Sequence, residues 1–356
     1  MKTPNASPGR AAWLGMAPLI LTLLTTALFT TSTAVAQQPP SLYAQGRQAY
    51  AERQYAEAAK LFAASAAAKE QAGTADALLM EGRSLVNTGD LAGAERALKA
   101  FLQQDVRSAP ALYLLGYVLQ RENKPKESLE VFTRAAAIRR PTANDLRIVA
   151  LDYVLIDDYP DAIHWLDRAV REDPQNADAW YDLGRSQMNQ GDFVAAEKAF
   201  DRVLAIVPGE VKALNNLGLS YEAQNRIPDA LRVYEAAIAS QRSSTHPSEQ
   251  PLLNYGTLLI SQNRTAEAIP VLKSAIGIAP QDAKCREQLA RAYQQTDRLP
   301  EAREQLERAV ALDPKNPRLH YQLGRLYHRL GEDGRSREEL DLSEKLYGTR
   351  STPETK

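Results

Sequence analysis

The apolar side chains of this chain follow a period of about 34 residues. Nine small residues mark the period, at intervals of 36, 34, 34, 34, 34, 38, 34 and 34 residues. An internal repeat of this length predicts small structural units that stack on one another and share a core. We number the units 1 to 9 and call the nine small positions the crossing residues. They are Gly46, Gly82, Gly116, Ala150, Gly184, Gly218, Gly256, Ala290 and Gly324.

Each unit repeats the same pattern after its crossing residue. Twelve residues on stands a second small residue: Ala58, Ala94, Ser128, Ala162, Ala196, Ala230, Ala268, Ala302 or Ser336. Sixteen residues on stands a large apolar one: Phe62, Leu98, Phe132, Leu166, Phe200, Tyr234, Leu272, Leu306 or Leu340. Since residues three and four apart share a helix face, the pattern predicts two helices per unit. The two small residues are expected to meet where the helices cross.

The two helices of a unit need a turn between them. Seven residues after the crossing residue stand Gly89, Asn123, Asp157, Gly191, Asn225, Asn263, Asp297 and Gly331, and only unit 1 departs, with Arg53. Glycine, asparagine and aspartate best tolerate the left-handed conformation that ends a helix. The second helix is expected to stop before a proline in four units, at Pro174, Pro208, Pro280 and Pro314.

This arrangement resembles the tetratricopeptide repeat. Unit 5 carries the family's residues most completely: Trp180, Leu183, Gly184, Gly191, Phe193, Ala196, Phe200 and Pro208. The resemblance extends over about residues 39 to 347. It implies an all-α fold, a right-handed α-solenoid of about nine helix-turn-helix pairs over residues 42–347. In this family the first helix of each pair lines a concave groove that binds other proteins.

The first 36 residues have the pattern of a secretory signal peptide. Lys2 and Arg10 precede an apolar stretch that ends at Leu28. Ala34-Val35-Ala36 matches a signal peptidase site. We therefore expect export to the periplasm or the medium, a linker over residues 37–41, and no membrane span after signal removal. The alternative is an uncleaved N-terminal segment that anchors the protein in a membrane. Residues 348–356 are expected to form a flexible tail.

Charge and cysteine content narrow the class of partner. The chain has 43 basic and 44 acidic side chains, for a net charge of −1. This balance does not favour nucleic acid, because binding to phosphates needs an excess of Lys and Arg. The single cysteine, Cys285, cannot form an internal disulfide. Burial must therefore stabilise the array.

No sequence motif indicates an enzyme, a cofactor or a metal site. The chain lacks the phosphate-binding loop, the zinc-binding helix and the nucleophile elbow. The histidines, at 164, 246, 320 and 328, do not have the spacing of zinc ligands. The acidic pair Asp157-Asp158 falls at a predicted turn, where it is expected to cap a helix. We expect no catalysis and no cofactor.

The resemblance places the groove-facing residues six, three and two positions before the crossing residue and one after it. Two before, the residues are apolar in units 1 to 4, then Asp182, Asn216, Asn254, Gln288 and Gln322. One after, five units carry arginine: Arg47, Arg83, Arg185, Arg291 and Arg325. Three before, four units carry tyrosine: Tyr43, Tyr113, Tyr181 and Tyr321. The groove is thus expected to have an apolar half and a polar half.

The polar half suits an extended peptide. Side-chain amides can pair with a peptide backbone whatever its sequence, and arginines can pair with carboxylates. A chaperone-type carboxylate clamp is not expected, because Leu219 stands where that clamp needs asparagine. We expect the peptide-binding residues to be Tyr181, Arg185, Asn216, Asn254, Gln288, Arg291, Tyr321, Gln322 and Arg325.

These residues predict a non-enzymatic adaptor that binds extended segments of envelope proteins in its groove. The alternative is a permanent scaffold subunit of an envelope assembly or secretion complex. The sequence does not predict an oligomeric state.

Overall fold

The part of the chain that the structure describes is helical. The computed structural model describes residues 40–69 and 74–350, without the side chains of residues 74, 349 and 350. The predicted signal peptide, most of the linker and residues 351–356 lie outside the described residues. Every described helix belongs to the unit Ser41–Lys356.

Residues 40–69 and 74–350 form eighteen helices and no strand, which confirms the predicted all-α solenoid of nine helix pairs. The last helix runs on from the predicted end of the array, at 347, to Arg350. The bounds are α1 Leu42–Ala51, α2 Tyr55–Ala67, α3 Thr74–Thr88, α4 Leu91–Gln104, α5 Ala109–Arg121, α6 Pro125–Ala136, α7 Ala143–Leu155, α8 Tyr159–Glu172, α9 Ala177–Gln190, α10 Phe193–Ile206, α11 Val211–Ala223, α12 Ile227–Ser240, α13 Gln250–Ser261, α14 Thr265–Ile278, α15 Ala283–Gln295, α16 Leu299–Leu312, α17 Pro317–Arg329 and α18 Asp333–Arg350.

The crossing glycines lie directly beneath a large side chain of the second helix. A Cβ atom built on Gly218 would lie 2.4 Å from Cε1 of Tyr234, and one on Gly116 would lie 2.6 Å from Cε2 of Phe132. The large residue sixteen positions on therefore fills the space that each crossing glycine leaves. The expected contact between two small residues is only part of this packing, because glycine chiefly makes room for the ring or branched chain above it.

The turns between paired helices have the predicted left-handed conformation. All eight predicted turn residues have positive φ, from 57° at Asn225 and Asp297 to 88° at Gly191. Arg53, the exception in sequence, adopts the same conformation with φ 61°. The position thus requires a left-handed residue in every unit, and unit 1 meets the requirement with an unfavourable side chain.

The second helices end where the prolines predict. Helices α8, α10, α14 and α16 each stop two residues before their proline. The two aspartates at the unit 4 turn have different roles. Asp157 is the left-handed residue, and the carboxylate of Asp158 accepts a hydrogen bond from the backbone N–H of Asp161 at 3.3 Å, which caps α8.

The longer interval between units 6 and 7 forms a closed loop. The side chain of Gln241 is buried, and its Nε2 donates to the carbonyl oxygen of Ser248 at 2.8 Å. The N–H of Ser248 donates back to Oε1 of Gln241 at 2.9 Å. This two-way amide contact joins the ends of the extra residues, so α13 resumes the stacking of the solenoid.

Candidate peptide-binding groove

The first helices of successive units touch each other along the groove. Contacts join α3 with α5, α5 with α7, α7 with α9, α9 with α11, α11 with α13, and α13 with α15. We name the rows of groove residues by their place relative to the crossing residue: the three-before row, the two-before row and the one-after row. Neighbouring units therefore meet through these rows.

Polar residues of the first two rows bond to each other between units. In each pair, the three-before residue of one unit contacts the two-before residue of the next, and we call such a pair a rung. Rungs that include charged groups and those that are neutral have the same register. The polar rungs are Arg147 Nε to Asp182 Oδ2 at 2.6 Å, Asn216 Nδ2 to Tyr181 Oη at 2.9 Å, Asn254 Nδ2 to Asn215 Oδ1 at 2.9 Å, and Gln322 Nε2 to Glu287 Oε1 at 2.7 Å.

The same register holds apolar side chains in units 1 to 4. Tyr43 and Met80 belong to one apolar cluster, and Tyr113 and Ile148 belong to another. The change from apolar to polar rungs therefore occurs between unit 4 and unit 5, where the two-before row changes from Ile148 to Asp182. The predicted division of the groove into two halves is a division in how neighbouring units are joined.

One rung is mismatched. Gln288 is the two-before residue of unit 8, and the three-before residue of unit 7 is Leu253. The side chain of Gln288 is only 6% exposed, and its Oε1 has no hydrogen-bond partner among the described residues. Because the leucine side chain offers neither a donor nor an acceptor, the amide of Gln288 is buried without the bond that the other polar rungs make.

The rungs limit how the side-chain amides of the two-before row can bind a peptide. Asn216, Asn254 and Gln322 each donate one side-chain N–H to the neighbouring unit, so these amides also take part in the packing between units. Their carbonyl oxygens and their second N–H remain for a ligand. Gln288 is too buried to contribute equally.

The one-after row carries arginines that have no ion pair. None of Arg47, Arg83, Arg185, Arg291 and Arg325 has a carboxylate partner within the described ranges, whereas Arg147 and Arg318 of neighbouring rows do. The guanidinium of Arg325 lies 5.8 Å from the ring centroid of Tyr321, which is 47% exposed. The row therefore presents uncompensated positive charge along the groove, in a chain whose net charge is −1.

Two of these arginines border a pocket between units 8 and 9 that we call the basic pocket. Its volume is about 320 Å³. Its only carboxylate, Glu287, already contacts Arg318 at 2.9 Å and Gln322 at 2.7 Å. The pocket is lined by Glu287, Arg291, Gln294, Arg318, Tyr321, Gln322, Arg325 and Arg329. The structure thus brings four of the nine predicted site residues together: Arg291, Tyr321, Gln322 and Arg325.

Other side chains that could act as catalytic groups or ligands have structural roles. His320 is buried between Glu339, 2.6 Å from its Nδ1, and the carbonyl oxygen of Pro314, 2.9 Å from its Nε2. Cys285 is buried, and this burial raises the pKa of its thiol to about 12. In the described ranges no group of three His, Cys, Asp or Glu residues is placed to hold a metal ion.

Family models for the tetratricopeptide repeat match residues 79–144, 150–211 and 215–283, and a second model of the repeat matches residues 290–331. The chain belongs to the tetratricopeptide repeat family. It is thus a protein-interaction module built from these repeats.

Curated relatives share part of this tetratricopeptide repeat array. Protein FlbA of Caulobacter vibrioides is 27% identical over 242 residues, which is 67% of this chain and 40% of the relative. Cellulose synthase 1 operon protein C of Komagataeibacter xylinus is 26% identical over 232 residues, 61% of this chain and 17% of the relative. The chain therefore spans less than half the length of either protein.

A solved structure shows the same fold. The C-terminal part of a TPR repeat-containing protein from Cytophaga hutchinsonii matches with a TM-score of 0.57 at 15% identity, over 69% of this chain and 99% of that one. Over the residues that the structure describes, no helix combines the length and apolar character that a bilayer crossing requires.

Prediction from sequence missed some residues of the basic pocket. Arg318 and Glu287 stand six before and three before their crossing residues, which are positions that the family assigns to the groove. A systematic reading of those two rows would have found both. Gln294 and Arg329 lie four and five positions after the crossing residue, so no row of the repeat pattern indicated them.

Proposed function

We propose that this chain is an exported adaptor that holds extended, acidic segments of envelope proteins in the groove of units 5 to 9, without chemistry of its own. The observation that carries the proposal is the row of unpaired arginines, Arg185, Arg291 and Arg325. Each guanidinium keeps its planar set of N–H donors for a carboxylate. An acidic segment would neutralise this row.

The rungs supply contacts to the peptide backbone. Asn216, Asn254 and Gln322 keep carbonyl oxygens that can accept backbone N–H groups of a bound segment. Tyr181 and the exposed ring of Tyr321 add flat apolar area at low cost in side-chain entropy. Gln288, which is nearly buried, stands outside this proposed contact set.

Export and the envelope location are part of the proposal. They rest on Lys2, Arg10, the apolar stretch that follows and the Ala34-Val35-Ala36 site. N-terminal sequencing of protein from the native host should begin at Gln37. Recovery of a membrane-bound form that retains Met1 would support the uncleaved anchor instead.

The binding proposal is tested with labelled twelve-residue peptides and the full chain. We expect an acidic Glu/Ser peptide, acetylated and amidated, to bind at least tenfold more tightly than its Gln/Ser or Lys/Ser counterpart by fluorescence anisotropy. Combined Arg291→Gln and Arg325→Gln changes should weaken binding about tenfold, because two solvent-accessible ion pairs contribute about 0.7 kcal/mol each. They should also flatten the salt dependence of the affinity.

The matched control changes two arginines of the second helices, Arg134 in α6 and Arg171 in α8, to glutamine. This double variant removes the same charge from outside the groove rows. Equal loss of binding in both double variants would show a general charge effect and contradict the groove assignment. If partner proteins co-purify stoichiometrically and both variants leave that complex intact, the permanent scaffold replaces the adaptor.

A further inference from the structure

A second pocket lies in the half of the groove that the proposed function does not use. It has a volume of about 480 Å³ and runs from unit 1 to unit 4. We call it the aromatic pocket. Three tyrosines, Tyr50, Tyr113 and Tyr117, line it together with Leu114 and Ile148. A pocket of this size with such walls can enclose a large apolar side chain and some of the backbone beside it.

The aromatic pocket also contains an unpaired positive charge. Arg83 is half-buried in its wall, and within the described residues its guanidinium makes one weak polar contact, 3.8 Å to the sulfur of Met80. No carboxylate of the described chain pairs with it. A half-buried guanidinium gains more from an anionic partner than an exposed one does, because less water screens the pair.

Two tyrosine hydroxyls add donors beside Arg83. The hydroxyl of Tyr117 accepts a hydrogen bond from Arg121 at 2.8 Å, and that of Tyr50 accepts a longer one from Asn87 at 3.4 Å. Since both oxygens act as acceptors in these contacts, their own protons remain for an outside acceptor. The pocket lining also includes the carboxylate of Asp145, which is paired with Arg139 at 3.2 Å. Apolar walls, the unpaired Arg83 and two hydroxyl donors together fit an apolar group next to a carboxylate.

The repeat spacing sets how far apart the two groups of the ligand should be. Arg83 and Tyr117 hold the same one-after position in adjacent units. Neighbouring helices lie about 8–10 Å apart, and an extended chain advances about 3.3 Å per residue. Two or three residues of an extended chain therefore bridge the space between the guanidinium and the apolar wall.

We propose that the aromatic pocket is a separate binding site for an internal, extended peptide segment in which a large apolar side chain lies two or three residues from an Asp or Glu. Arg83 pairs with the carboxylate, and the apolar side chain packs among Tyr113, Leu114 and Ile148. The proposal rests on the groove being the binding face, as proposed above. It assigns to units 1 to 4 a ligand different from the acidic segment proposed for units 5 to 9.

The probe is an octapeptide of Gly and Ser that carries one Glu and one Phe two residues apart, acetylated and amidated. Eight residues span at most about 28 Å, whereas units 4 and 8 are about 32–40 Å apart along the groove, so the peptide cannot reach both pockets. The peptide with Gln for Glu and the peptide with Ala for Phe are the comparison ligands. Affinity for the full chain is measured by fluorescence anisotropy.

We expect Arg83→Gln to weaken binding of the Glu-Phe octapeptide about tenfold and to leave the affinity for the Gln-Phe octapeptide unchanged. Tyr117→Ala should weaken both, and circular dichroism checks that this variant is folded. Arg134→Gln, an unpaired arginine on α6, and Arg325→Gln, in the basic pocket, should leave the octapeptide affinity within a factor of two.

Three outcomes would overturn the inference. In the first, the octapeptide does not bind the wild-type chain. In the second, Arg83→Gln weakens binding no more than Arg134→Gln does. In the third, the amidated peptide does not bind but the free acid ending in Phe does, which assigns the pocket to chain ends. Failure of the acidic twelve-residue peptide, with the octapeptide still bound through Arg83, would refute only the proposed function of units 5 to 9.

Discussion

Asp152 is a carboxylate with no exposed surface in the packing between units 3 and 4. Its Oδ2 lies 2.6 Å from the hydroxyl oxygen of Ser128, which lies 2.9 Å from the carbonyl oxygen of Gly116. Its Oδ1 has no partner in the described chain. One hydroxyl proton cannot serve both neighbours, so a protonated Asp152 that donates to Ser128 completes the series. Burial raises the pKa of Asp152 from 3.8 to about 7.

This raised pKa predicts that the free energy of unfolding decreases as the pH rises. The contribution of Asp152 is fully present below pH 3.8, its value in the unfolded chain, and is lost as the pH rises through about 7. Asp152→Asn should therefore increase the free energy of unfolding at pH 8, by on the order of 3 kcal/mol, and increase it less at pH 5. Urea unfolding at the two pH values measures the difference. Glu130→Gln, which changes an exposed carboxylate on α6, is the control for the loss of one negative charge.

Arg53 is the one turn residue whose side chain does not suit its backbone. Its φ of 61° matches that of Asn123 in the equivalent turn of unit 3. Arg53→Asn should stabilise unit 1 by about 0.5–1 kcal/mol, because asparagine tolerates the left-handed region better. Hydrogen exchange of α1 and α2 should slow accordingly. The reverse change, Asn123→Arg, should speed exchange in α5 and α6, and an unchanged rate in both variants would contradict the assignment of strain.

At the scale of the element, the close approach of paired helices depends on the crossing glycines. Gly218→Ala should lower the free energy of unfolding by about 1–3 kcal/mol, because the new methyl group overlaps the buried ring of Tyr234. Gly277→Ala is the matched control. Gly277 lies in α14 with nothing within 4 Å of an added Cβ, so alanine should stabilise the helix by about 0.5 kcal/mol. Thermal unfolding should move in opposite directions for the two variants.

The mismatched rung gives a second test of helix-to-helix packing. Gln288→Leu should raise the free energy of unfolding by about 1 kcal/mol, because it removes a buried amide without a partner and places leucine beside Leu253. Gln322→Leu is the comparison, since Gln322 donates to Glu287. That variant should not be stabilised. If both variants gained the same free energy of unfolding, the helix propensity of leucine alone would explain the effect.

At the scale of the whole molecule, the rungs decide which units can be neighbours. Deleting residues 211–248 removes unit 6 and brings Tyr181 opposite Asn254, which can still bond. Deleting residues 143–176 removes unit 4 and brings Asp182 opposite Tyr113, without Arg147. We expect the first deletion to leave a folded array and the second to lose about 1–2 kcal/mol more at pH 5, since the unpaired Asp182 must then be protonated to stay buried, at about 1.4 kcal/mol per pH unit above 3.8.

Circular dichroism and urea unfolding at pH 5 compare the two deletions, because at that pH the accompanying loss of Asp152 matters least. Asp182→Asn should rescue the unit 4 deletion and have no such benefit in the unit 6 deletion. If the two deletions are equally stable, or if Asn at 182 rescues neither, the rungs do not specify the order of units.

The repeat sequence by itself determined the helices, their turns and their pairing, because these depend on contacts within about 20 residues along the chain. Helical spacing gives the apolar faces, the left-handed turn needs Gly, Asn or Asp, and each crossing glycine meets a residue sixteen positions on. The predicted peptide-binding residues also came from register alone. The spacing could show which row each one belongs to, as it did for Arg291, Tyr321, Gln322 and Arg325 in the basic pocket.

Only the tertiary structure decided which residues meet across units, because the offset between stacked helices sets those contacts and no local spacing encodes it. It joined Asn216 to Tyr181 and Asn254 to Asn215, left Gln288 without a partner, and placed Arg83 unpaired in an aromatic wall. It also enclosed Asp152, whose burial follows from the packing of two units against each other. Whether a polar or charged side chain is paired, unpaired or buried thus depends on which residue the neighbouring unit places against it.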